Sequence, residues 1–284
     1  MMSCYFFIGD IHGEIRLLNK VLKEIDAFHP DKMVFVGDFI DRGPHSKAVI
    51  DRLMGLDGEH VLLMGNHELM LLNSLENNVF GYSPIELWYY NGAEATIQSF
   101  GSSSFFNFQS DLELKYRRFF QNLQMNHILN LRNGLDILVT HAGISPSVPV
   151  SDQIKINSYE EHQDYILKKH LEPLDTPIWV RDQFFNATPD LWEGHMVIHG
   201  HTPVNKLRRF MNGGHEDEWD FFNGDICIRR DPVSRIPVSI DIDSGSTISG
   251  RLSALGISVD GDKIRMHSIT VSADETVKRE LGEF

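Results

Sequence analysis

Asp10 and His12 in Gly9-Asp10-Ile11-His12-Gly13, Asp38, Asp41 and Arg42 in Gly37-Asp38-Phe39-Ile40-Asp41-Arg42-Gly43, and Asn66 and His67 in Gly65-Asn66-His67-Glu68 are residues whose types can do chemistry. His141 in His141-Ala142-Gly143, and His199 and His201 in His199-Gly200-His201-Thr202-Pro203, extend the set. Carboxylates, imidazoles and an amide oxygen, with no thiolate among them, are the donors that bind hard to borderline divalent ions able to activate water. A carboxylate bridging two such ions would hold them about 3.5–4 Å apart, close enough to polarise one phosphoryl group together. Each cluster alone says little, because Asp-x-His is more often a turn or a cap than a ligand pair. Together they reverse that reading.

Each cluster follows a short apolar run: residues 5–8, 33–36, 61–64, 137–140 and 196–198. Such runs read as buried strands, and the loops beyond them lie at the carboxyl edge of a sheet, where α/β folds place ligands. After Gly13, the residues Ile15, Leu18, Val21, Leu22, Ile25 and Phe28 recur at helical spacing until His29-Pro30-Asp31 ends the helix. Strand, loop, helix and strand make a βαβ unit with a right-handed crossover. A second unit runs from strand 33–36 through a helix over 47–56 and a turn at Asp57-Gly58 to strand 61–64. Asp10, Asp38 and Asn66 are therefore expected along one sheet edge.

Residues 68–120 read as interrupted helix, a cap near the pocket, in which Trp88, Tyr89 and Tyr90 serve first as packing between helices and second as a pocket wall. Strands are expected over 125–131 and 136–140, joined by the hairpin signal Arg132-Asn133-Gly134, then a helix over 159–170. Residues 206–231 lack periodicity and read as an insertion loop. Strands return over 238–242, 252–259 and 263–268.

With 284 residues, 42% of them hydrophobic, the chain can build one large α/β domain spanning 1–284. A formal charge of −14 argues against a general grip on nucleic acid, yet allows a single phosphate held through metal. Cys4 and Cys227 are too few and too far apart for a disulfide framework. The N-terminal residues lack the basic region of a signal peptide, and no run approaches the ~18 apolar residues of a membrane span, so the expected address is the cytoplasm, with no membrane partner.

The motifs Gly-Asp-x-His-Gly, Gly-Asp-x-x-Asp-Arg-Gly, Gly-Asn-His-Glu, His-Ala-Gly and Gly-His, in this order over residues 5 to about 255, resemble the phosphoprotein phosphatase branch of the calcineurin-like metallophosphoesterases in its bacterial form. The resemblance implies a metallophosphoesterase fold of two packed mixed β-sheets flanked by helices, a four-layer α/β/β/α sandwich. It implies two divalent ions, manganese first, with iron, zinc, cobalt and magnesium admissible. Asp10 and His12 would bind the first ion, Asp38 would bridge, and Asn66, His141 and His201 would bind the second. His199 reads as support or packing, and Glu68 as a structural hydrogen-bonding residue. His67 would be the general acid, its other nitrogen held by Asp41. Arg42, and Arg181 by its short Trp-x-Arg pattern, would clamp phosphoryl oxygens. The implied reaction is one in-line attack on phosphorus by a metal-bound hydroxide, without a phosphoenzyme.

In the branch that cleaves diadenosine tetraphosphate symmetrically, the second motif lacks the Asp before Arg and the third ends in Asp. Asp41-Arg42-Gly43 and Asn66-His67-Glu68 therefore favour a serine/threonine protein phosphatase acting on a phosphoprotein or small phosphoester. The alternatives are symmetrical dinucleoside polyphosphate hydrolysis and a non-catalytic metal-binding regulatory module. The presence of Asp41, Arg42 and His67 argues against the module.

Overall fold

The apolar runs that end at the candidate ligands are strands, and they belong to two different sheets. The computed structural model describes residues 2–76, 83–131, 134–169, 171–212 and 216–284. Within them lie β1 (Ser3–Ile8), β2 (Lys32–Phe35), β3 (His60–Leu62), β4 (Asn126–Asn130), β5 (Asp136–Thr140), β6 (Met196–His199), β7 (Trp219–Phe222), β8 (Ile226–Arg230), β9 (Pro237–Asp241), β10 (Leu252–Asp260), β11 (Lys263–Val271) and β12 (Thr276–Glu283). The first sheet runs β12-β11-β10-β1-β2-β3 and the second β4-β5-β6-β9-β8-β7. Both are mixed: β1, β2 and β3 are parallel, as are β5, β6 and β9, and their other partners are antiparallel.

Side-chain alternation along a strand sends neighbours to opposite faces, which sorts the core into layers. Phe7, Val34 and Val36 of the first sheet pack on Val139, Ile198 and Ile240 of the second, closing the seam between sheets. Phe6 and Ile8 face the other way, onto Leu18, Val21 and Ile25 of α1 (Ile15–Asp26) and Val49 and Ile50 of α2 (Ser46–Met54). On the outer face of the second sheet, Leu138, Val197 and Cys227 lie beneath Phe184, Phe185 and Trp192. This is the four-layer arrangement expected. Cys4 and Cys227 are both free and buried.

Between β3 and β4 run α3 (Asn66–Glu76), α4 (Pro84–Tyr90), α5 (Ala93–Ser99), α6 (Phe105–Asp111) and α7 (Leu114–Gln121). Ser83 starts α4 with its hydroxyl on the Glu86 N–H and Pro84 at the first helical position. Trp88 is buried between helices, whereas Tyr89 and Tyr90 face outward. Further along come α8 (Val150–Gln153) and α9 (Tyr159–Lys169). Arg132 and Asn133 of the expected hairpin signal lie outside the described residues. No helix among the described residues is long and apolar enough to cross a membrane.

One expectation is corrected. Residues 206–231 are not an insertion loop: β7 and β8 form a hairpin that completes the second sheet. Its turn contains Asn223 at φ 53° and Gly224 at φ 73°, left-handed conformations that an Asn-Gly pair adopts at hairpin tips. The tail also carries a strand, β12, beyond those expected.

His162 on α9 is buried with neither ring nitrogen hydrogen-bonded, and burial pushes its pKa down to about 4. The fold thus favours the neutral ring. That stability is full above the unfolded value near 6.5 and is lost as pH falls toward 4. Between pH 7 and 4.5, urea unfolding should show the native protein losing about 2–3 kcal/mol more than His162→Leu. Equal losses in the two proteins would contradict this account.

Candidate metal centre

The parallel strands of both sheets direct their carboxyl ends to one place. β1 leads to Asp10 and His12, β2 to Asp38, β3 to Asn66 and His67, β5 to His141, and β6 to His201. All seven side chains are buried. Asp38 lies at the middle. One carboxylate oxygen is 3.5 Å from His12 Nε2 and 3.9 Å from His67 Nε2; the other is 3.4 Å from His141 Nε2. Asn66 Oδ1 is 3.0 Å from His141 Nε2 and 2.9 Å from His201 Nδ1. The His201 N–H donates to Asp10 Oδ2 at 3.0 Å, so the first and last motifs meet.

Two of these imidazoles are oriented from behind. His12 Nδ1 lies 2.9 Å from the Ile40 carbonyl and His141 Nδ1 lies 2.8 Å from the Val36 carbonyl. If each Nδ1 carries the proton and donates, each Nε2 presents a lone pair inward, as a metal-binding histidine must. The chain bends hard to achieve this. His12, Asp38, Asp41, Arg42 and His201 all have φ between 46° and 72°, left-handed conformations that cost a non-glycine residue about 1–3 kcal/mol each unless their surroundings fix them. Close approach also constrains Gly65, where a Cβ would lie 2.1 Å from Asp38 Oδ1.

Glu68 fixes two of the loops. Its Oε2 accepts from the N–H groups of Asp38 and Gly65, and its Oε1 from those of Phe39 and Ile40. Burial, then the Asp38 charge, push its pKa up to about 8, against the pull of the Gly65 and Phe39 N–H groups. The structural role read from the sequence is the one it occupies.

The donor set fits divalent cations. Two groups of three ligand atoms, His12-Asp38-His67 and Asp38-His141-His201, have their atoms within 4.8 Å of one another, and both include Asp38. Asp10 Oδ1, His67 Nε2 and His201 Nε2 are buried without a hydrogen-bond partner. Burial, then the charges of Asp243 and Asp38, raise Asp10 well above the carboxylate range, and burial lifts Asp243 to about 7. Burial, then Arg42, pushes His12 well down; burial, then Arg181, does the same to His201. Crowded acids and proton-free imidazoles are what two cations would relieve.

The remaining candidates fall around this cluster. His67 Nδ1 is 2.7 Å from Asp41 Oδ2, the pairing expected. Arg42 Nη1 reaches His12 Nε2 at 2.8 Å. Arg181 stacks over Phe210 and feels the charges of Asp38, Arg42, Asp243 and Asp10, which sets it among the site's groups instead of in a surface ion pair. His199 does not join the ligand groups; its ring packs edge-on against Phe184. Sequence reasoning passed over Asp243, although Val238-Ser239-Ile240-Asp241-Ile242-Asp243-Ser244-Gly245 repeats the pattern of an apolar strand releasing acids before a glycine. Trp88, expected as packing or pocket wall, also donates to Asp41, as does Thr96, which the sequence did not single out.

The chain belongs to the calcineurin-like phosphoesterase family, whose sequence profile matches residues 5–230. It is a metal-dependent phosphoesterase with a candidate dinuclear site. An asymmetrical bis(5'-nucleosyl)-tetraphosphatase, PrpE, of Bacillus thuringiensis (strain Al Hakam) is 26% identical over 266 residues, covering 88% of this chain and 89% of that protein. The PrpE of Anoxybacillus flavithermus (strain DSM 21510 / WK1) is 28% identical over 243 residues, 80% of this chain and 90% of its own. A solved metallophosphoesterase from Sphaerobacter thermophilus aligns with 99% of this chain and 89% of its own, at 15% identity and a TM-score of 0.49.

Above pH 8, where Glu68 is a carboxylate, Glu68→Gln leaves an oxygen for two of the four N–H groups and turns an NH2 toward the others. Urea unfolding should show a loss of about 2 kcal/mol or more. A change within about 0.5 kcal/mol would remove Glu68 as the clamp between the loops.

Proposed function

We propose that this phosphoesterase hydrolyses dinucleoside tetraphosphates asymmetrically, releasing a nucleoside monophosphate and a nucleoside triphosphate. The observation that carries the reading is the alignment, along most of both chains, with relatives named for that activity. Asp10 and His12 would hold one ion, Asn66, His141 and His201 the other, and Asp38 would serve both. Two divalent ions there, manganese in this proposal, would supply water activation and neutralise phosphoryl charge. Arg42 and Arg181 would hold phosphoryl oxygens, Arg42 with its planar fork. With Asp10, His12 and Asp38 on the first ion, His67 Nε2 would be left free to give a proton to the departing oxygen, an aid that a triphosphate needs least.

A second reading, serine/threonine protein phosphatase of the phosphoprotein phosphatase branch, is favoured by the buried Asp41–His67 pair. A serine alkoxide is a poor leaving group and needs a proton as it departs; a triphosphate leaves without one. The pair therefore has more to do on a phosphomonoester than on an anhydride.

The two readings separate in one assay. The manganese-loaded protein is offered diadenosine tetraphosphate and a phosphoserine peptide side by side. Asymmetrical cleavage predicts ATP and AMP in equal amounts. ADP as the only nucleotide product would mean symmetrical cleavage, and phosphate from the peptide with the dinucleotide intact would put the second reading in its place.

A further inference from the structure

We propose that Trp88 and Thr96, on the two short cap helices α4 and α5, are positioning residues for proton delivery: they fix the Asp41 carboxylate in the orientation that aims His67 Nε2 at the leaving oxygen. This rests on the reading of His67 as the general acid. Asp41 Oδ2 accepts from Trp88 Nε1 at 2.8 Å and lies 2.7 Å from His67 Nδ1, while the Thr96 hydroxyl donates to Oδ1 at 2.5 Å. The Asp41 N–H points to Thr96 Oγ1 at 2.9 Å and Ser46 Oγ at 3.1 Å. Thr96 has a single hydroxyl proton, already directed to Asp41, so in the 3.0 Å contact between the two hydroxyls Ser46 is the donor. Trp88 on Oδ2 and Thr96 on Oδ1 thus hold the carboxylate from both oxygens, with Oδ2 turned toward His67.

The spacing of the cap residues shows a common purpose. Trp88, Gly92 and Thr96 are four residues apart, and each meets the dipeptide Asp41-Arg42. Between the two side chains, the Gly92 carbonyl accepts from the Arg42 N–H at 3.3 Å, and a Cβ on Gly92 would come within 3.1 Å of Arg42. The cap therefore grips the two residues proposed to orient the acid and to hold the phosphoryl group. Packing alone does not call for these polar atoms. Trp88 sits against Phe105 and Phe108, where another phenyl ring would serve, and valine has the shape of threonine. What phenylalanine and valine lack is the donor to Asp41.

The experiment compares Trp88→Phe, Thr96→Val, Thr96→Ser and His67→Gln, all manganese-loaded, on 4-nitrophenyl phosphate and phenyl phosphate. The nitrophenolate departs without protonation and the phenolate gains from it. Trp88→Phe and Thr96→Val should lower kcat on phenyl phosphate about 10-fold or more and on the nitrophenyl ester less than about threefold, with KM little changed. Thr96→Ser should restore the phenyl phosphate rate, and Thr96→Val should add nothing in a His67→Gln background. Equal losses on both esters, or losses that multiply with His67→Gln, would overturn the proposal. If His67→Gln discriminates between the esters and the cap variants do not, the proposal fails alone; if His67→Gln does not discriminate, the acid reading fails and takes the proposal with it. Should Trp88→Phe not fold, the Thr96 pair carries the test.

Discussion

Four backbone N–H groups from two loops converge on the carboxylate of Glu68, and the site depends on that convergence. The loop after β2 places Asp38 in a left-handed conformation, and the turn after β3 starts the helix that carries Asn66 and His67. Glu68 ties one to the other, and further bonds complete the frame: the Ile11 and His12 N–H groups reach the Asp38 carbonyl, and the Gly13 N–H reaches that of Phe39. Strained residues persist where their surroundings over-determine them, and here the surroundings are backbone bonds between loops of neighbouring strands.

The two sheets contribute unequally. The first supplies Asp10, His12, Asp38, Asn66 and His67 through β1, β2 and β3; the second supplies His141 and His201 through β5 and β6. Asp38 lies where the two sets meet, with imidazoles from both sheets facing its oxygens. A dinuclear centre across this seam would also fasten the sheets together. Part of the acidic charge lies just behind it, on Asp241 and Asp243 at the end of β9, both raised by burial.

Much of this was legible because one pattern repeats: an apolar strand, a glycine, then polar ligands. The parallel β1-β2-β3 core, the amphipathic α1 and the meeting of Asp10, Asp38, Asn66, His141 and His201 follow from it. Glu68 was legible as structural, though not the four bonds it makes. The β7-β8 hairpin was missed although Asn223-Gly224 stands between the apolar stretches Trp219-Asp220-Phe221-Phe222 and Ile226-Cys227-Ile228, because the charged, aperiodic residues before it, Arg208-Arg209 and Glu216-Asp217-Glu218, set the reading of the whole segment. The bonds of Trp88 and Thr96 to Asp41 were missed for another reason. Their contact with Asp41 crosses 47 and 55 residues of chain, and no local spacing encodes a hydrogen bond of that range. The substrate is the least legible part, since the motifs pointed to phosphoproteins and the relatives are named for dinucleotides.

Asp38 is placed so that one carboxylate would serve two cations. Anomalous scattering from crystals grown with manganese tests it directly. Two peaks per chain are expected, one near His12 and one near His141 and His201, each within bonding distance of an Asp38 oxygen. A single peak, or two peaks with Asp38 bound to neither, would contradict it.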